Sequence, residues 1–230
     1  MTNEEIQLSD KIRNSEGIKC INTMNYHNDC ISILSGNFAE LSKALLHFEN
    51  FKNALELMDQ NNRKATEKYH NEIIRLLHNF IASAMTLVAH TRNFIKNNYS
   101  GTEIFHLYTN KVKNEFVGDG LSKFIQDLRN FILHRKLPYT GLTLKADLET
   151  TVDLDRDLML DWHGWTKLSR SYLSSQPEKI RIYDFVDAYA QKVDAFNHWL
   201  NREIQDYHKK DLEELDLLRK RYCEISKEFT

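Results

Sequence analysis

From Tyr69 to Ile95 the apolar residues, among them Ile73, Leu76, Leu77, Phe80, Ile81, Leu87 and Phe94, recur at largely helical steps with no Gly or Pro between them. That period predicts an amphipathic helix of roughly thirty residues, which must bury one face against neighbours. Asn97-Asn98-Tyr99-Ser100-Gly101 ends it. Seven Gly and two Pro in 230 residues cannot punctuate a β-sandwich or barrel, which needs a turn signal about every 8–12 residues. The expected fold is mainly all-α, an antiparallel helical bundle, and the length suits a single domain over 1–230.

The remaining periodicities fill in the bundle. Ser35-Gly36-Asn37 offers a start for a helix from about Phe38 to Met58, with a shorter helix before it. A third helix covers about Thr102 to Phe116, Val117-Gly118-Asp119-Gly120 breaks the chain, and a fourth runs from Leu121 to about Arg135, stopped by Pro138. The bundle core is thus about 38–138. Alternation of Leu142, Leu144, Ala146 and Leu148 with polar neighbours predicts a small inserted β-hairpin over about 141–161. A connector holding Trp162, Trp165 and Pro177 leads to a long C-terminal helix over about 181–228, interrupted near Asp211. A helix of that length packs along the body or projects toward a partner.

Thirty-one Lys and Arg against 33 Asp and Glu leave a net charge of −2, so any nucleic-acid contact must be local and not a broad basic field. Met1-Thr2-Asn3-Glu4-Glu5 lacks the basic and then apolar run of a signal peptide, and no uninterrupted apolar stretch suits a membrane span, so a cytoplasmic chain with no membrane partner is expected. Cys20, Cys30 and Cys223 are odd in number and fit no disulfide framework.

The fourth helix carries the strongest chemical signal. Leu121, Phe124, Ile125, Leu128, Phe131 and Ile132 form its core stripe, while Asp127, Asn130 and His134 stand at i, i+3 and i+7 on a face expected to point away from that core. Arg129 lies on the flank, and Arg135 and Lys136 follow. Such a group can hold a phosphodiester at the helix end. Basic residues in a last turn also complement the helix dipole, so spacing alone leaves both readings open.

The run Arg129-Asn130-Phe131-Ile132-Leu133-His134 resembles the Arg, four to six residues, His motif of the HEPN superfamily, late in a helix of an all-α bundle. The resemblance implies a metal-independent endoribonuclease of toxin or defence type, acting on RNA as a homodimer across the motif helix, with no cofactor and an antitoxin or regulatory protein as a further partner. It implies catalytic roles for Arg129, Asn130 and His134 and supporting ones for Asp127, Arg135 and Lys136. Where some members carry a modifiable Tyr two residues after the His, this chain has Lys136. The rival reading is a non-catalytic helical interaction or scaffold module.

Other constellations weigh less. Asp153-Leu154-Asp155-Arg156-Asp157 begins like a calcium loop but lacks the Gly at the sixth position and the Glu at the twelfth. Cys20, His27 and Cys30 are zinc-compatible residue types without zinc spacing, so no metal is expected. His70 with His78 is expected to be ordinary helix polarity, while His90 and Arg92 are candidates to support the motif from the neighbouring helix. Trp162, His163 and Trp165 are expected to anchor the connector. No phosphate-cradling Gly-rich loop and no GxSxG elbow occur, which disfavours P-loop and esterase chemistry.

Overall fold

The Thr2 hydroxyl accepts the Glu5 backbone N–H at 3.1 Å and the Glu5 carboxylate accepts that of Thr2 at 2.6 Å, a reciprocal cap that starts α1 (Asn3–Asn14). The chain is seen in a computed structural model that describes residues 2–134, 140–144 and 148–227. Ser15 caps α2 (Glu16–Glu49), and Asn50 turns the chain into α3 (Phe51–Met58). No new helix starts at Ser35-Gly36-Asn37, because α2 runs straight through. An exposed mid-helix Gly costs about 1 kcal/mol, whereas burying each of Leu34, Leu41 and Leu45 against α4 is worth about 1.5–3 kcal/mol.

The long periodic run forms α4 (Arg63–Tyr99), followed by Gly101 in the left-handed conformation at φ 80°. It is the described helix long and apolar enough to cross a membrane by length and composition, yet its apolar face is covered by α2 and α6. Then come α5 (Glu103–Val112), a π-helical turn (Lys113–Val117) and α6 (Gly120–His134). Pro138, expected to stop that helix, lies outside the described residues.

The inserted sheet has three antiparallel strands, not two: β1 (Thr140–Leu144), β2 (Thr150–Asp155) and β3 (Lys179–Arg181), in that order. Leu142 faces Val152, and Leu154 faces Ile180. The alternation expected to continue through Leu158 and Leu160 stops at Asp155, whose carboxylate accepts the Leu158 N–H at 3.0 Å and caps α7 (Arg156–Leu160). The connector also holds α8 (Lys167–Ser175). Arg181 forks onto Glu49 at 2.8 and 2.6 Å, tying the sheet edge to the end of α2.

The last long helix is two, α9 (Ile182–Tyr207) and α10 (Lys209–Lys227). The break falls at His208, where the Tyr99 ring packs against Tyr207 and His208. Beyond it α10 packs on α1 and α2 and does not project. Its close approach needs Gly17, where a Cβ would stand 2.5 Å from the Asp211 carbonyl. The buried side chains form two clusters. The first joins α2, α4, α6, the sheet and the start of α9; the second joins the start of α2, the ends of α4 and α9, and α5.

Candidate functional site

Asp119 fixes where α6 begins. Its Oδ2 accepts the Ser122 N–H at 2.8 Å and the Ser122 hydroxyl at 2.6 Å, and its Oδ1 meets Lys192 Nζ of α9 at 3.0 Å. Burial alone would raise the Asp119 carboxyl, but the bonds from Ser122 and Lys192 outweigh it and hold the group below its ordinary value. Its contribution to stability is therefore complete above the unfolded carboxyl value of about 3.9 and is lost as pH falls through the lower folded value. Asp119→Ala is expected to cost about 1–2 kcal/mol as a lost helix cap. Urea unfolding at neutral pH and again in acid checks it: the difference from wild type should shrink in acid, and a constant difference would refute the assignment.

The core face of α6 is locked by rings. Phe124 packs on Tyr172 and Phe185 with centroids 5.3 and 5.4 Å apart. Phe131 stacks on Trp165 at 5.6 Å and meets the edge of Trp162 at 5.4 Å. The two tryptophans thus anchor the connector, while His163 between them is exposed. Arg170 holds the Trp162 carbonyl at 2.8 Å, and a Cβ on Gly164 would collide with the Trp162 ring, so the loop is closely fitted.

Asp127 does not belong to an outward seam. It is buried, and its Oδ2 accepts the Thr166 N–H at 2.9 Å, the Thr166 hydroxyl at 2.7 Å and the Ser169 hydroxyl at 2.5 Å. Its face of α6 is occupied by the start of α8, an element absent from the expected layout. Asp127 therefore joins two helices and is a positioning residue. The signal that was available is the Thr166-Lys167-Leu168-Ser169 spacing of a helix cap.

Asn130 is half-buried, and Arg129, Leu133 and His134 are exposed. Among the described residues the Arg129 and His134 side chains make no hydrogen bond or ion pair. Arg135 and Lys136 lie outside the described residues. Arg129 and His134 are five positions apart, so on α6 they diverge by about 140° around the axis and about 7.5 Å along it. Asp127, Asn130, Phe131 and His134 follow one side of the helix, the side where Thr166 bonds and Trp162 packs. The 161–166 loop packs on this side through Trp162 and Thr166, and His163 within it is exposed.

His90 and Arg92 do not support this site. His90 acts on His27, and Arg92 acts on Tyr108 in the second cluster, whereas α6 starts at the junction marked by Asp119 and Lys192 and runs away from it along the first. His70 is tied instead to Thr140, at 2.8 Å, with burial lowering its pKa. Asp153 accepts the Thr151 hydroxyl at 2.9 Å and Asp155 pairs with Lys179 at 2.7 Å, so the acidic run is occupied by its own strand and cap. Cys20 packs its sulfur 3.8 Å from that of Met24, and the three cysteines are free. Among the described residues no group of three or more His, Cys, Asp and Glu is placed to hold a metal ion.

The chain matches no family model, and no curated protein or solved structure matches it.

Proposed function

We propose that the protein is a cytoplasmic, metal-independent endoribonuclease of HEPN type, in which a homodimer across α6 joins Arg129, Asn130 and His134 of two copies around one RNA phosphate. The observation that carries this reading is the contrast along one helix: Asp127 is consumed by packing, while Arg129 and His134 stay exposed on a helix held in place by Phe124 and Phe131. The divergence of Arg129 and His134 on one α6 supports the dimer, because a two-fold axis returns from the second copy the group that the first points elsewhere.

The chemistry suits these residue types. The ribose 2′-OH attacks the adjacent phosphorus, the P–O5′ bond breaks, one His134 takes the 2′-OH proton, and the other gives a proton to the departing O5′. An imidazole titrates near neutral pH and serves in either role. Arg129 binds the phosphoryl oxygens through its planar fork and stabilises their growing charge, and Asn130 orients His134 or donates to the same oxygens. A regulatory protein of antitoxin type fits as the partner that covers this face.

Total RNA incubated with the purified protein in excess chelator tests the reading. The expected products are fragments with 2′,3′-cyclic phosphate and 5′-OH ends. Intact RNA, a requirement for divalent metal, or 5′-phosphate ends would each overturn it.

A further inference from the structure

Five of the six buried side-chain nitrogen and oxygen atoms that lack a hydrogen-bond partner among the described residues belong to one joint between α2 and α9. They are both ring nitrogens of His27, both amide atoms of Asn197 and Oδ1 of Asn201. The His27 ring is 3% exposed and lies flat on Phe94 of α4 with centroids 4.8 Å apart. The Asn197 amide is beside it without hydrogen-bond geometry. A phenyl ring stacks the same way and leaves no polar atom unpaired, so the imidazole costs stability that the packing does not require.

We propose that this joint is an acid-sensitive switch: a proton taken up by His27 leaves a buried cation with no carboxylate to meet it, and α9 parts from α2 around Asn197, opening the second cluster to water. Among the described residues no acidic group acts on the ring; from α4 it faces His90, a second potential cation, and from α9 the neutral Asn197. Asp194 and His198, on α9, pair with each other in solvent at 3.3 Å, and Asp29 of α2 acts on Cys30 instead. A buried cation without a partner is costly enough that the group stays neutral or the structure around it gives way. Burial holds the closed-state imidazole below its ordinary value, outweighing the raising pull of Asn197, and His90 adds to the lowering. His27 therefore takes its proton in the open form first. The closed joint keeps its full stability above the free imidazole value of about 6.5 and loses it as pH falls from there toward the lower closed-state value. The joint borders the second cluster, whereas α6 belongs to the first, so the switch does not rest on the ribonuclease reading.

Cys20, seven positions before His27 on the same face of α2 and 4% exposed in the second cluster, reports the opening. The test labels the full-length protein with dithiodipyridine, a thiol reagent that works in acid, and reads each cysteine by mass spectrometry. The rate at Cys20 is taken relative to that at exposed Cys223 in the same sample, which cancels the pH dependence of the reagent. From about pH 7.5 to 5.5 the ratio should rise about threefold to tenfold, since one proton bound only in the open form raises the opening constant by at most about tenfold per pH unit. In His27→Phe it should stay constant within about twofold. His70, which burial also lowers, remains in that variant, so the difference isolates His27. If His27→Phe does not fold, the ring resonances of wild-type His27 decide: at about pH 5.5, where an ordinary imidazole is about nine-tenths charged, they should report the neutral form. A flat ratio in wild type, an equal rise in His27→Phe, or a charged His27 ring with Cys20 still protected would overturn the proposal.

Discussion

Asp127→Ala is expected to lower stability by about 3 kcal/mol, because hydrogen bonds to a charged acceptor contribute about 1.5–3 kcal/mol each and three of them share one oxygen. The sum does not reach three full bonds. Thr166 is exposed, so its N–H and hydroxyl turn to water in the variant, and the fully buried Ser169 hydroxyl keeps Thr166 Oγ1 at 3.0 Å as a partner. For a chain of this length the loss corresponds to a melting shift of about 6–12 °C. Asp127→Asn should fall between, since one carbonyl oxygen in the place of Oδ2 keeps the geometry without the charge. Thermal and urea unfolding of both variants decide it; an Ala variant within about 0.5 kcal/mol of wild type, the range of ordinary surface substitutions, would show that the α6 to α8 contact does not depend on Asp127.

The same residue marks how far the sequence could be read. Helical spacing correctly sets Asp127, Asn130 and His134 along one side of α6, because 3.6 residues per turn is a local property. What packs on that side is not local: Thr166 and Ser169 arrive from about forty residues later in the chain, on a helix of nine residues too short for its period to stand out. For the same reason α4 is legible in type and at its C-terminal end, though it begins at Arg63, six residues before the periodic run, while β3, three residues long, exists only because β2 offers an edge beside it. Gly36 is the converse case. Local chemistry proposes a break there, and the buried leucines on either side of it override the proposal. The division of the C-terminal helix at His208 carries no Gly or Pro and depends on Tyr99 from α4, so its place, though not its existence, had to come from the fold.

If two copies of α6 build one shared site, wild-type and His134→Ala chains mixed in equal amounts and allowed to exchange should retain about a quarter of the activity of the same quantity of wild-type dimer. Random pairing makes a quarter of the dimers wild type, half mixed and a quarter doubly substituted. When one His134 must take the 2′-OH proton and the other must protonate O5′, the mixed dimer lacks one step and is silent, because removing a proton-transfer group costs about 10²–10⁴ in rate. Independent sites, each complete within one chain, leave the mixed dimer half active and the mixture at about half. His134→Ala homodimers should be inactive in both cases, and Arg129→Ala should lose about 10²–10³, the usual cost of one charge-stabilising donor. Both side chains are exposed and unpaired among the described residues, so these variants should unfold within about 0.5 kcal/mol of wild type, which separates lost chemistry from lost structure. A mixture at half activity would reject the shared site while leaving the nuclease reading intact, and full activity in either homodimeric variant would remove α6 from the chemistry altogether.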